Sequence, residues 1–237
     1  MTIALFLEDS YKTSCAAIVT VINEKNGIVL DQSIFYPTGG GQPGDKGKMT
    51  LSDGTEIAIA TTVKGKQPDE IVHVPAEGTL LPKVGDSVTV EIDWDFRHRL
   101  MRMHSCLHLL SAVLPYPVTG GQVSDGKGRL DFDLPEATLD KTEIAEKLNE
   151  LISKDLTVTS DWISDAELDA KPDLVKTMSV KPPRGSGKIR LIQIEEIDLQ
   201  PCGGTHIRKT SEIGPVLVRK IEKKGRQNRR VSLIFDE

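Results

Sequence analysis

Cysteine is scarce here, with three in 237 residues. Three widely separated thiols make no disulfide framework. No stretch approaches the roughly 20 apolar residues needed to span a bilayer, and no Asn-x-Ser/Thr acceptor occurs. The start, Met1 to Asp9, has no basic flank and too short an apolar run for a secretory signal. These absences point to a reducing cytoplasm and away from a membrane. A phosphate loop is also missing. Gly121 to Gly128 comes near one, but Lys127 is followed by Gly128 instead of serine or threonine, and a strand-like alternation follows. Gly41 to Asp45 is not a phosphate loop either, because no Gly-Lys-Ser/Thr follows. A nucleoside triphosphatase is therefore excluded. An overall positive charge is lacking as well: the formal net charge is -5, which argues against indiscriminate nucleic-acid binding.

Positive charge is instead concentrated. Arg219, Lys220, Lys223, Lys224, Arg226, Arg229 and Arg230 form a dense run. Arg97, Arg99 and Arg102 add charge on a predicted helix, away from its apolar stripe. An acidic protein with one basic face can dock a polyanion in a single orientation. A solvated strand and loop explains the run equally well.

Hydrophobic residues at 38% and charged residues at 27% describe an ordinary globular chain of one or two domains. Residues 1–92 carry short β-branched runs at Cys15–Ile22, Ile28–Asp31, Glu56–Ala60, Glu70–Val74 and Ser87–Ile92, separated by Asn26-Gly27, Asp53-Gly54 and Gly85-Asp86. Short strands without helices predict a small β-barrel. Inside it, Gly39, Gly40 and Gly41 precede Gln42. Consecutive glycines are costly to order, so the backbone is expected to approach something closely; a plain tight loop is the alternative. Residues 93–237 alternate predicted helices and strands, an α+β arrangement with an antiparallel sheet. The fold class is thus α+β, with a barrel domain at 1–92 and a second domain at 93–237.

Two short segments organise the second domain. Phe96, Leu100, Met103, Leu107, Leu110 and Leu114 recur at spacings of four and three, a helical stripe ended by Pro115. His104 and His108 share one side of that helix, at the stripe's edge. Far downstream, Cys202-Gly203-Gly204-Thr205-His206 reads as a turn in which the glycines permit a reversal. A thiolate with imidazoles suits zinc better than magnesium or calcium. Each pair alone is a weak signal. Together, with three of the five histidines, they favour one shared zinc ion per chain. Cys106 lies on the opposite side of the helix and is expected to serve packing.

His104-Ser-Cys-Leu-His108 and Asp198-Leu-Gln-Pro-Cys202-Gly-Gly-Thr-His206, followed by Thr210-Ser-Glu-Ile-Gly214, resemble the editing domain of alanyl-tRNA synthetase. Phe35-Tyr-Pro-Thr-Gly-Gly-Gly-Gln42-Pro-Gly-Asp45 resembles that family's glycine-rich segment. No aminoacylation or anticodon-reading segment is recognisable, so the chain is similar to the free-standing AlaX-type editing proteins of medium length. The resemblance spans essentially the whole chain. It implies a trans-editing hydrolase of translation fidelity that deacylates tRNA(Ala) mischarged with serine, or with glycine. It also implies His104, His108, Cys202 and His206 as zinc ligands and Gly39, Gly40, Gly41 and Gln42 as neighbours of the tRNA end. Lys223, Lys224, Arg226 and Arg229 are the candidate tRNA-binding cations.

There is one departure. The synthetase commonly has threonine before the second histidine, where this chain has Leu107. Thr119 is the candidate replacement for the hydroxyl that sorts serine from alanine. Because four protein ligands close a zinc site, one ligand, His206 first, is expected to be loose, or the zinc to position the substrate. A non-catalytic zinc-stabilised RNA-binding module is the competing reading. A zinc hydrolase of some small ester, unconnected with tRNA, leaves the basic run unexplained.

Overall fold

The computed structural model describes residues 1–67, 69–134, 139–176 and 187–237. The Pro182–Gly187 loop foreseen from the sequence lies, except for Gly187, outside the described residues. The chain forms two compact units, Met1–His98 and Arg99–Glu237.

In the first unit, β1 (Ile3–Ala4), β2 (Ser14–Ile22), β3 (Ile28–Leu30), β4 (Gln32–Ser33), β5 (Gly47–Leu51), β6 (Glu56–Lys64), β7 (Ile71–Pro75) and β8 (Ser87–Ile92) follow in order. Six of them close a barrel in the order β2-β3-β7-β6-β5-β8, while β1 and β4 pair in parallel. Alternation along β6 and β8 sends Ile57, Ile59, Val88 and Val90 inward, where they meet Ile28, Leu30 and Phe35. Closure leaves the barrel no open edge. Strand β5, Gly-Lys-Met-Thr-Leu, has little β propensity of its own. It is held between β6 and β8, so tertiary pairing decides its structure.

The glycine-rich segment is a tight turn. Gly39 and Gln42 exchange backbone hydrogen bonds at 3.1 and 2.9 Å, with Gly40 and Gly41 at φ of 56° and 83° between them. Both need left-handed backbone, which explains two of the three glycines without a ligand. Gln42 is buried.

Arg97 corrects the sequence reading. Foreseen as a surface cation, it is fully buried against Asp45, itself fully buried. Its Nε donates to the Asp45 carboxylate at 2.9 Å, Nη1 to the Ser10 carbonyl at 2.9 Å and Nη2 to the Ile34 carbonyl at 2.6 Å. Asp45 also accepts from the Tyr36 amide at 2.6 Å. The guanidinium thereby ties three backbone segments together. His73 is buried in the barrel, its ring nitrogens against Ser33 Oγ and the Ile28 carbonyl. Burial lowers its pKa to about 4, despite the raising effect of the Ile28 contact. This histidine is neutral core.

The second unit holds most of α1 (Trp94–Val113), then β9 (Val118–Ser124), β10 (Lys127–Asp133), α2 (Lys141–Ser153), β11 (Val158–Ile163), α3 (Asp165–Asp169), β12 (Ile189–Ile194), β13 (Asp198–Pro201), β14 (Val216–Lys224) and β15 (Asn228–Phe235). One antiparallel sheet runs β14-β15-β10-β9 and another β11-β12-β13. The α+β class and the closed barrel therefore stand. Helix α1 packs on β10 at Gly128, where a Cβ would lie 2.8 Å from Met103 and 3.2 Å from Leu107. Asp140 caps α2 by accepting from Thr142 and Glu143. Asn149 then ties α2 to Val216 of β14 through both its amide atoms. Among the described residues, no helix is long and apolar enough to cross a membrane.

Candidate metal centre

Helix α1 is less amphipathic than its stripe suggested. Beyond the stripe, Met101, Cys106 and Leu109 are also fully buried, so the apolar face of the helix is wider than one stripe. His104 and His108 are therefore buried, not at a half-wet edge. Cys106 has its thiol pushed up to about 12 by burial, so it is an inert packing group.

Strand β13 brings the second half of the site. Asp198 and Gln200 are buried on one face while Leu199 faces outward, and period two puts Cys202 on the same side as the first two. Neither Gly203 nor Gly204 is among the residues with left-handed backbone. The reversal foreseen for them is instead fixed by polar contacts. The Cys202 amide donates to the Arg190 carbonyl at 3.0 Å. Arg190 Nη1 donates to the Gly204 carbonyl at 2.8 Å and the Cys202 carbonyl at 3.3 Å. The Gly204 amide donates to Cys202 Sγ at 3.4 Å.

The four foreseen donors converge. One ligand atom each from His104, His108, Cys202 and His206 lies within 4.8 Å of every other. Cys202 Sγ is 3.6 Å from His104 Nε2 and 3.3 Å from His206 Nε2. A tetrahedral zinc with ordinary bond lengths sets sulfur-to-nitrogen edges of about 3.5 Å. One thiolate with three imidazoles is a soft-to-borderline set, so the residues present fit a zinc ion.

A supporting layer orients these donors. His108 Nδ1 lies 2.9 Å from Asp198 Oδ2. A carboxylate only accepts, so Nδ1 carries the proton and Nε2 is left to the donor cluster. The Gln200 amide donates to Asp198 at 2.8 Å and to Ser111 Oγ at 3.1 Å, and Lys176 pairs with the other Asp198 oxygen. On the far side, His206 Nδ1 is 3.0 Å from Ser105 Oγ, which also accepts from the Ile207 amide. His206 is thus as buried and as firmly held as its partners, and nothing singles it out as the loose ligand. Asp198, Gln200, Ser105 and Arg190 were not given roles from the sequence. The two-residue alternation Asp198, Gln200, Cys202 was the available signal for the first two.

Electrostatics follow from crowding. Burial opposes ionisation of the Cys202 thiol, but the His104 and His206 rings beside it hold it well below the ordinary thiol range. Burial also opposes charge on His108. The Asp198 carboxylate and Cys202 outweigh that, raising His108 to about 9. Burial and the neighbouring His104 push His206 down to about 3. Against burial, His108 and Lys176 help keep Asp198 ionised, at about 2. A thiolate among imidazole rings is a donor set that a divalent cation would take by displacing the ring proton that His108 otherwise holds.

We expect Asp198→Asn to weaken zinc binding about 10- to 100-fold, measured by competition with a chromogenic chelator. An unchanged affinity would remove Asp198 from the supporting layer.

Residues 189–232 match the family model described as the threonyl and alanyl tRNA synthetase second additional domain. Residues 4–96 match that of class II (A) tRNA synthetases. The chain is 35% identical to the alanyl-tRNA editing protein AlaX-M of Methanosarcina acetivorans, over 98% of both chains. It is equally similar to AlaX-M of Saccharolobus solfataricus, again over 98% of each. This chain belongs to the AlaX family. It is also 38% identical to the alanine--tRNA ligase of Sulfurisphaera tokodaii, across 92% of this chain and 24% of that protein.

The remaining candidates are carried by other elements. Thr119 is on β9, its hydroxyl donating to the Asp131 carbonyl at 3.1 Å. Lys223 and Lys224 end β14, Arg226 is in the hairpin turn and Arg229 is on β15. Leu107 is buried against β10, so packing explains its apolar identity.

Proposed function

We propose that this chain hydrolyses the ester of tRNA(Ala) mischarged with serine, or with glycine, and so acts as a trans-editing enzyme of protein synthesis. The convergence of His104, His108, Cys202 and His206 within 4.8 Å carries the reading. These residues would hold one zinc ion, with Asp198 and Ser105 fixing the ring orientations. When bound, the ion supplies a Lewis acid and a fixed positive charge beside the scissile ester. Asp198 holds the His108 Nδ1 proton in place, and the packing of α1 buries His104 and His108. The Gly39–Gln42 turn and the cations Lys223, Lys224, Arg226 and Arg229 are assigned to the tRNA. No nucleoside triphosphate is consumed.

Selectivity needs a polar partner that alanine leaves unsatisfied. Thr119 is our candidate. Its hydroxyl is oriented by donation to the Asp131 carbonyl, and Thr119→Val removes that hydroxyl at nearly constant size.

One observation favours a second reading. Four protein donors form the closed pattern of a structural zinc, which suits a non-catalytic RNA-binding module. Deacylation of labelled Ser-tRNA(Ala), with and without a chelator, separates the two. Chelator-sensitive release of serine is the expected result, and no release by the metal-loaded protein would leave the module. In the same assay Thr119→Val is expected to admit Ala-tRNA(Ala) while slowing serine release far less. If Ala-tRNA(Ala) stays untouched, Thr119 loses the role.

A further inference from the structure

One face of the three-stranded sheet carries more than the metal donors. Strand register places Trp162 directly across from Arg190. The Cys202 amide bonds to the Arg190 carbonyl one step beyond the Leu191–Pro201 pair. Residues opposite one another in an antiparallel sheet project to the same side. Trp162, Arg190 and Cys202 therefore stand in a single row across the sheet. Neighbouring strands are about 4.8 Å apart, so Trp162 and Cys202 are separated by about 10 Å of backbone.

Two features of this row have no structural explanation. Arg190 is only 8% exposed, and its Nε has no hydrogen-bond partner. Its Nη1 is occupied by the Cys202 turn, but a buried donor left unmade costs free energy that a bound acceptor would recover. Trp162, in contrast, is 41% exposed on edge strand β11. Among the described residues no ring or cation packs on its indole. An open indole, an unused buried guanidinium donor and a metal centre thus line up in that order.

We propose that Trp162 and Arg190 form the subsite for the terminal nucleoside of the acylated RNA. The base stacks on the Trp162 indole. Arg190 Nε–H donates to an oxygen of the same nucleotide, and the ester on its ribose reaches the metal centre. Stacking on an aromatic ring and donation by arginine are the usual means of holding an unpaired nucleotide end. The proposal rests on the deacylase reading and names which part of the substrate this row receives.

The test uses the full, metal-loaded chain. There are two tryptophans, so Trp94→Phe leaves Trp162 as the only reporter of indole fluorescence. Titration with adenosine 5′-monophosphate into the millimolar range is expected to quench it saturably. In the otherwise natural chain, Trp162→Ala is expected to lower kcat/KM for Ser-tRNA(Ala) about 5- to 100-fold, mostly through KM. Trp162→Phe should recover most of that loss, and zinc content should stay level in both. Absence of quenching in a protein that hydrolyses Ser-tRNA(Ala) overturns the subsite alone. So does an unchanged kcat/KM in Trp162→Ala. If the unaltered protein releases no serine, the deacylase reading fails, and the nucleotide titration still decides the subsite.

Discussion

Cys202→Ala is expected to leave the purified protein without zinc and to reduce serine release from Ser-tRNA(Ala) by more than about 100-fold. Cys202 is the one anionic donor in the cluster. Its sulfur sits against His104 and His206, and the Gly204 amide donates to it. Removing the thiolate leaves three imidazoles with their ring centres 4.3 to 5.4 Å apart. A neutral cluster that crowded holds a divalent ion far less well. Metal content by mass spectrometry, alongside single-turnover deacylation, checks both halves. A variant that kept a full complement of zinc and its rate would remove the cluster from the reaction. Circular dichroism of the same sample shows that the fold survives, since the side chain is only partly buried.

The second large effect is on stability. Arg97→Met would leave Asp45 as a buried carboxylate without its cation. Breaking such a pair from one side costs about 3–5 kcal/mol. The charge cannot reach water, because Asp45 is wholly covered. In a unit the size of residues 1–98, that corresponds to a fall in Tm of about 15 °C or more. Calorimetry measures it directly. The double change Arg97→Met with Asp45→Leu should recover much of the loss, because no unpaired charge remains. A single variant melting within a few degrees of the parent would mean that water or another cation reaches Asp45.

The contrast between these two sites shows what a one-dimensional reading can and cannot reach. The convergence of the four side chains was legible because each pair is local: His104 and His108 are one helical turn apart, and Cys202 and His206 are four residues apart in one turn. The Arg97–Asp45 pair was not. Its members are 52 residues apart, and an arginine beside Arg99 and Arg102 looks like one more surface cation. Burial of a charge depends on a partner that no local pattern announces. The barrel was visible through its β-branched runs, whereas Gly47–Leu51 was not, because its pairing comes from β6 and β8 on either side. The glycines at 203 and 204 misled in the other direction. Their presence suggested a backbone reversal, but Arg190 and the Cys202 sulfur hold the turn without left-handed geometry. Asp198 and Gln200 were within reach, since a strand's alternation continues through Cys202.

The spacing of the donors also bears on how the protein is made. His104 and Cys202 are 98 positions apart, so an ion between them clips a long loop of polypeptide. A ribosome would deliver both α1 imidazoles well before the thiolate emerges. If these donors take up zinc, its capture would have to wait for the thiolate and would be a late event in biosynthesis.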